Sequence, residues 1–190
     1  LITKVRAANY TRDQRATLWN FAAAALQPGG QPVTLDTLSP ATVITRGFQP
    51  KKQDLQTVTA QSDLSTRFNA WGMEHTLQTG VDFAHEKKQV FGQISANQGG
   101  VVPARPNTTI GTPYDGASID ESLRSYRQTS AYVSKSYGGY LQDMVQFAPM
   151  WKLLLGLRYD NLKGDYSTYT VPNNALTPVT TTGYQMKVSE

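Results

Sequence analysis

The sequence contains no cysteine among its 190 residues. A disulfide framework, a thiolate metal site and a cysteine nucleophile are therefore excluded. The sequence also lacks a long hydrophobic run, because its longest apolar segment is FAAAAL at 21–26. A transmembrane helix needs roughly 18 to 20 apolar residues, so the sequence predicts no helical membrane span.

No set of residues with catalytic spacing is visible in the sequence. The two histidines, His75 and His85, have neither a cysteine nor another histidine at helical spacing beside them, so neither supports a zinc site. No G-x-S-x-G motif offers a hydrolytic serine. We therefore predict that the protein is not an enzyme and binds no metal or cofactor of its own.

The positive charge of the chain is not concentrated. The formal net charge is +4, and the 18 Lys and Arg residues are scattered, with adjacent pairs only at 51–52 and 87–88. Nucleic-acid binding is therefore not predicted. The sequence begins at Leu1 without a charged leader and ends in what resembles the start of a strand, so we expect an internal fragment of a larger protein.

A period of two is clearest in the segment from Trp151 to Asp160. One face carries Trp151, Leu153, Leu155, Leu157 and Tyr159, and the other carries Lys152, Leu154, Gly156, Arg158 and Asp160. The aromatic residues at the two ends of the apolar face are roughly 26 Å apart in a strand at about 3.3 Å per residue. In a tilted strand this is about the apolar height of an outer-membrane barrel wall, so the segment predicts half of a membrane β-hairpin.

A second hairpin is predicted around Trp71 and Gly72. Residues 54–70 alternate for longer than globular strands usually do, and 74–87 alternate again after a tight turn in which Gly72 is available for a positive φ. Each hairpin thus has a Trp at its corner, which predicts an interfacial girdle of Trp71, Trp151 and Tyr159. The alternative is that both Trp residues are ordinary core residues.

The strand at 137–147 has a less regular pattern than its partner. Leu141, Val145 and Phe147 share a face with Asp143. A carboxylate near the middle of a bilayer is costly, so either Asp143 lies close to the interface or the Leu141 side does not face lipid.

The order of connections indicates the fold class. We predict one domain over 1–190 with strands at about 1–12, 54–70, 74–87, 126–147 and 151–168, and long loops at about 13–53, 88–125 and 169–184. Within the first loop, LWNFAAAAL fits a small packed turn or a short helix. Long and short connections alternate, which favours an all-β, antiparallel transmembrane β-barrel segment over a soluble sandwich.

Two segments carry a resemblance to a known family. DLQTVTAQSDLSTRFNAWGMEHTLQTGVDF and GGYLQDMVQFAPMWKLLLGLRYDNLKGDY, in this order and spacing, resemble the barrel of TonB-dependent siderophore receptors of the catecholate type. The resemblance implies a barrel of about 22 strands filled by an N-terminal plug that this chain does not contain. It also implies import of ferric siderophores across the outer membrane of a Gram-negative bacterium, with energy from the TonB complex reaching the receptor through the plug and N-terminal segment.

The expected partners are therefore a ferric siderophore as transported ligand, the TonB complex, and outer-membrane lipid and lipopolysaccharide. Two alternatives stay open, namely a receptor of the same architecture for another nutrient, such as a cobalamin or a glycan, and a soluble secreted β-sandwich binding module.

Ferric catecholates are anionic and aromatic, so their receptor needs cationic and aromatic side chains at its outer vestibule. Seven residues of the predicted loops and strand tops fit this need: Arg124, Tyr126, Arg127, Arg105, Tyr114, Trp19 and Arg46. The first three are favoured because they cluster where a loop returns to the wall. The alternative is that these side chains only keep the loops soluble.

Overall fold

A computed structural model describes residues 1–170 and 180–189 of the chain. Its strands are β1 (Ile2–Phe21), β2 (Val43–Ala70), β3 (Met73–Gln93), β4 (Thr108–Thr109), β5 (Tyr126–Ala148), β6 (Trp151–Thr170) and β7 (Thr180–Ser189). Short 3₁₀ turns occur at Ala24–Leu26, Pro28–Gly30, Ala96–Gln98 and Glu121–Leu123. Within the described part of the chain, no helix is long and apolar enough to cross a membrane.

The strands form one antiparallel sheet in the order β1-β2-β3-β5-β6-β7, with the short β4 paired to the start of β2. Strands β1 and β7 are the two edges, so the sheet is open in this fragment. The predicted all-β antiparallel architecture is confirmed. A sandwich needs a second sheet facing the first, and the described residues form a single sheet.

The strand register separates an apolar face from a polar face. The apolar face carries Val58, Leu64 and Phe68 of β2 and, in register with them, Leu141 and Leu157 of β5 and β6. The rows from Phe68 to Val58 cover roughly 33 Å of strand, or about 25 Å of height at a tilt of about 40°. This height matches the apolar band of an outer-membrane barrel.

The polar face is held together by contacts between neighbouring strands. Tyr140 donates a hydrogen bond of 2.9 Å from its hydroxyl to Asp63, across the backbone of Gly80. Arg158 donates to Asp82 at 3.0 Å. A Cβ at Gly80 would lie 2.5 Å from Asp63 Oδ1 and 2.6 Å from the Tyr140 ring, so only glycine lets these two side chains meet there.

Both short turns form at the predicted positions. Trp71 and Gly72 have φ of 52° and 76°, and Ala70 pairs with Met73, which makes a two-residue hairpin of type I′. The positive φ at Gly72 agrees with the prediction, whereas a positive φ at a Trp is uncommon. The other turn consists of Pro149 and Met150.

The strands are longer than predicted, which corrects the loop bounds. β1 runs to Phe21 and β2 begins at Val43, so the first irregular segment covers 22–42 instead of 13–53. LWNF belongs to β1, and only Ala24–Leu26 forms a 3₁₀ turn. β3 ends at Gln93, which shortens the second loop to 94–125.

The sequence does not predict these longer strands because above the apolar band apolar and polar residues no longer alternate, although the backbone pairing continues. The predicted third loop at 169–184 also changes, because β6 continues to Thr170 and β7 begins at Thr180. Residues 171–179 of that loop lie outside the described residues.

Candidate ligand-binding region

The second long loop, residues 94–125, folds back onto the upper ends of β1 and β2, and we call it the anchored loop. Arg46 of β2 donates to the Asp115 carboxylate at 2.5 Å and to the Pro106 carbonyl at 2.5 Å. Its guanidinium also lies 5.5 Å from the centre of the Trp19 ring. One arginine of the sheet therefore ties two points of the loop to the strand tops.

Phe48 provides a second attachment point for the anchored loop. The guanidinium carbons of Arg105 and Arg124 lie 4.4 Å and 3.9 Å from the centre of its ring. Arg124 is also bound by Glu121, with Nε to Oε2 at 2.6 Å and Nη2 to Oε1 at 3.1 Å, and its side chain is fully buried. Cation–π contacts strengthen when they are removed from water.

Electrostatics in this cluster follow from the same contacts. The hydrogen bonds from Arg124 hold the pKa of Glu121 below its usual range, against the opposing effect of burial. Burial, together with the nearby positive charge of Arg124, lowers the pKa of Arg105. Desolvation raises the pKa of the Tyr126 phenol.

The register of β1 and β2 shows which face of the sheet the anchored loop packs against. Trp19 pairs with Arg46, and Phe48 is ten positions from Val58 along β2 with no register shift between them. These side chains therefore stand on the continuation of the apolar face, above the apolar band. The cleft between them has a volume of about 260 Å³, which is below the roughly 300 to 1,000 Å³ of typical small-molecule sites.

Five of the seven predicted ligand residues come together here, namely Trp19, Arg46, Arg105, Arg124 and Tyr126. Tyr126 lies under the ammonium group of Lys52 at 5.0 Å. Tyr114 is 94% exposed. Arg127 pairs with Gly92 and stands on the polar face. Ligand contact by any of the seven stays a prediction.

The polar face carries a row of aromatic residues that the sequence analysis did not find. Tyr132, Tyr166 and Tyr184 are directly opposite one another on β5, β6 and β7, and Lys88 of β3 pairs with Tyr132. We call Lys88, Tyr132, Tyr166 and Tyr184 the tyrosine row. Directly opposed side chains have Cβ atoms roughly 4.5 to 5.5 Å apart, so neighbouring rings in the row can contact one ligand together.

The tyrosine row remains accessible in this structure. Tyr184 is 63% exposed and Tyr166 is 41% exposed. The Tyr132 ring lies over Gly164, where a Cβ would be 3.1 Å from the phenolic oxygen. No local sequence pattern reveals this row, because its members are 18 or more residues apart in the chain. The row becomes visible only when the register of the strands is known.

Asp143 lies on the apolar face but has a partner. His75 Nδ1 is 2.7 Å from Asp143 Oδ2, and the His75 ring stacks on Phe68 at 5.1 Å and meets the edge of Trp71 at 5.8 Å. The pair lies close to the Trp71 turn, at the lower end of the apolar band. The face of β5 that carries Leu141 can therefore be apolar although it also carries the Asp143 carboxylate, because His75 binds this carboxylate near the lower end of the band.

The predicted girdle residues are exposed on the surface of the sheet. Trp71 is 86%, Trp151 67% and Tyr159 52% exposed, and Trp151 and Tyr159 stand on the apolar face of β6. Their contact with a membrane interface stays a prediction.

Comparison with known protein families matches residues 3–188 to the family described as TonB dependent receptor-like, beta-barrel. Among solved structures, the chain is similar to the closed form of the ferric-catecholate import receptor Fiu from E. coli K12, with 16% identity and a TM-score of 0.65. The match covers 98% of this chain and 26% of that chain.

The open form of the same E. coli receptor gives 15% identity and a TM-score of 0.59, covering 99% of this chain and 29% of that chain. The chain thus spans between a quarter and a third of the length of these structures. At this identity the structural likeness shows the fold, whereas the family match covers nearly the whole chain. The chain belongs to the TonB-dependent receptor β-barrel family.

Proposed function

We propose that this chain is part of the barrel wall of an outer-membrane receptor of a Gram-negative bacterium that imports ferric siderophores with energy from the TonB system. Family membership and the apolar band of about 25 Å support the membrane location. In a barrel, the apolar face is then the outer surface and the polar face the lumen. Binding and transport, not catalysis, are the assigned activities.

The observation that carries the siderophore proposal is the tyrosine row on the lumen side. A ferric catecholate presents flat aromatic rings and net negative charge, so it is complementary to adjacent phenol rings beside an ammonium group. Arg127 stands on the same face nearer the outer end of β5. The row would therefore meet a ligand that has entered from outside and is descending into the barrel.

The anchored loop supports a further part of this proposal. Arg124 Nη1 and the Tyr126 hydroxyl are buried without a hydrogen-bond partner in the described structure. An unused donor on each group is suited to an anionic ligand at the top of the wall, where Arg127 of the same strand end stands on the lumen side. Replacing Arg124, Tyr126 and Arg127 together by Ala should therefore weaken ferric-siderophore binding in the intact receptor, and unchanged affinity would remove this cluster from the site.

The main experiment compares tyrosines on the two faces of the same strands in the intact receptor. The lumen variant is Tyr132→Leu with Tyr166→Leu, and the matched control is Tyr137→Leu with Tyr159→Leu on the outer surface. Two lost aromatic contacts of about 0.5 to 1.5 kcal/mol each should weaken binding by roughly fivefold to 150-fold. The control should bind within about twofold of wild type.

Binding is measured by fluorescence quenching with a ferric tris-catecholate, a cobalamin and a neutral oligosaccharide as ligands. The proposal expects saturable binding of the catecholate alone. Saturable binding of the cobalamin or the oligosaccharide without the catecholate would instead assign the receptor to another nutrient. Equal loss of affinity in the two tyrosine variants would contradict the assigned facing.

A further inference from the structure

A small cleft lies between the anchored loop and the upper ends of β1 and β2, on the outer surface of the sheet. Trp19 and Phe48 line its wall side, and Arg105 and Glu121 line its loop side. Phe48 stands ten positions beyond Val58 along β2, which is roughly 33 Å of strand, or about 25 Å of height at a tilt of about 40°. The cleft is therefore far above the apolar band, and a ligand reaches it from water and not from the bilayer.

Two of the three arginines that line the cleft have a carboxylate of their own. Arg15 pairs with Asp13 at 2.9 Å. Arg46 pairs with Asp115 at 2.5 Å. Neither pair leaves a net charge beside the cleft.

Arg105 is the third arginine, and its charge is not matched in this way. Both oxygens of Glu121 are bound by Arg124, at 2.6 Å and 3.1 Å, and Arg105 Nη2 is 4.0 Å from the same carboxylate. Arg105 Nη1 is 3.5 Å from the Arg46 carbonyl oxygen, and Arg105 Nε is buried without a hydrogen-bond partner in the described part of the chain. Two arginines thus share one carboxylate. Because a buried charge without a partner is costly, this arrangement requires a further anion.

We propose that the cleft binds a small aromatic carboxylate, a monoanion with one planar ring. A guanidinium presents parallel N–H donors that match the two oxygens of a carboxylate, and one negative charge balances the unmatched Arg105. The Trp19 side chain is 47% exposed, so it offers a surface on which a flat ring can pack. The volume of about 260 Å³ equals roughly nine water molecules at about 30 Å³ each, so the ligand has about ten non-hydrogen atoms.

This site differs from the tyrosine row in its face and in the size of its ligand. The tyrosine row stands on the lumen side, whereas the cleft lies on the outer surface and is too small for a ferric tris-catecholate. A carboxylate held between Arg105 of the loop and Trp19 of β1 would fasten the anchored loop to the wall. The proposal therefore depends on the barrel wall and the loop, and not on the siderophore assignment.

The test follows 4-fluorobenzoate by fluorine NMR with the intact receptor in a neutral detergent. Wild type should bind this probe saturably, with a dissociation constant of about 1 mM or tighter. Arg105→Gln should weaken binding by about tenfold or more, because it removes the unmatched charge and its paired donors. The matched control is Arg67→Gln on the polar face near the other end of β2, and it should bind within about twofold of wild type.

Hydrogen exchange supplies a second measurement that needs no variant. In wild type, benzoate should slow exchange in the anchored loop, whereas benzamide, a neutral molecule of nearly the same shape, should not. This comparison keeps the test decisive if Arg105→Gln loosens the loop by itself.

Absence of saturable probe binding to wild type, or equal affinity of Arg105→Gln and Arg67→Gln for the probe, would overturn the proposal. Displacement of the probe by an equal concentration of acetate or inorganic phosphate would identify a general anion site and would also overturn it. A ferric tris-catecholate should not compete with the probe, and competition would assign the cleft to the transported ligand instead. The siderophore assignment is tested by the tyrosine variants, so the two proposals fail separately.

Discussion

Placing an arginine at Leu157 tests the assigned facing of the sheet most directly. Leu157 is 76% exposed in this open sheet, and it pairs with Leu141 in a row that continues through Thr79 to Leu64. That row is the third of the six between Phe68 and Val58, so it lies near the middle of the band. An arginine at the midplane of a transmembrane barrel costs about 2 to 4 kcal/mol, and this is the expected destabilisation of Leu157→Arg.

The adjacent strand positions supply the matched comparisons. Leu154→Arg makes the same chemical change on the polar face of β6, where Leu154 pairs with Met144, and it should cost less than about 1 kcal/mol. Leu155 is on the apolar face but pairs with Asp143, whose Oδ1 atom has no described partner. An arginine there can pair with Asp143, so Leu155→Arg should cost roughly 1 kcal/mol less than Leu157→Arg.

The assay is reversible folding of the intact receptor into phosphatidylcholine vesicles, followed by urea titration with the slope of the transition checked for constancy. The expected order of destabilisation is Leu157→Arg, then Leu155→Arg, then Leu154→Arg. If Leu154→Arg costs as much as Leu157→Arg, the two faces do not differ in environment, and the assignment of the apolar face to lipid is refuted.

Three further predictions concern the polar face, the anchored loop and the hydrogen-bonded pair of His75 and Asp143. Gly80→Ala should lower the urea midpoint, because its new Cβ would lie 2.5 Å from a carboxylate oxygen, whereas Gly139→Ala, with 3.8 Å to its nearest neighbour, should leave the midpoint unchanged or raise it. The anchored loop should open in acid, since a group with a lowered folded pKa contributes stability that is present at neutral pH and lost as pH falls through that pKa. Hydrogen exchange should rise in the loop below about pH 4.5 in wild type, and Glu121→Gln should reduce this dependence. The remainder comes from Asp115, whose pKa is also lowered, by the hydrogen bond from the Ala117 N–H and then by Arg46. Replacing His75 or Asp143 alone by Leu should cost about 1 to 3 kcal/mol in urea unfolding, and replacing both should cost less than the sum; additive losses would contradict a coupled pair.

Local pattern was sufficient to predict the two hairpins. The alternation from Trp151 to Tyr159 and the tight turn at Gly72 both depend on residues close together in the chain, and the structure has strands and turns at these positions. The family resemblance rested on the same two segments and is confirmed by the match over residues 3–188.

Long-range register was the part that local pattern could not supply. The partner of Asp143 is His75, which is 68 residues away in the sequence. The pattern of β5 alone therefore could not show which face of the sheet is apolar at Asp143. The tyrosine row likewise exists only after β5, β6 and β7 are aligned.

At the start of β5, closeness in the sequence also did not predict which residues lie on the same face of the sheet. Tyr126 and Arg127 are neighbours in the chain, yet Tyr126 lies beside Lys52 on the outer surface and Arg127 stands on the polar face. A register shift next to Val90 changes the pairing of this part of β5 with β3. The predicted cluster of Arg124, Tyr126 and Arg127 is therefore divided between the two faces.

The height at which alternation ends has a physical meaning of its own. On β2 the regular alternation of apolar and polar residues ends at Val58, while the strand continues to Val43, fifteen positions further, and is paired with β1 as far as Ile44. Lys135 and Lys163 lie in register with Val58, so the alternation ends where charged residues begin on this face and not where the hydrogen-bonded strand ends. For strands of this kind, the end of a period-two pattern does not give the end of the strand, which must be found from the backbone pairing. The tyrosine row lies three positions beyond Lys135 and Lys163 along the same strands, on the polar face, so it stands above the apolar band on the side of the long loops.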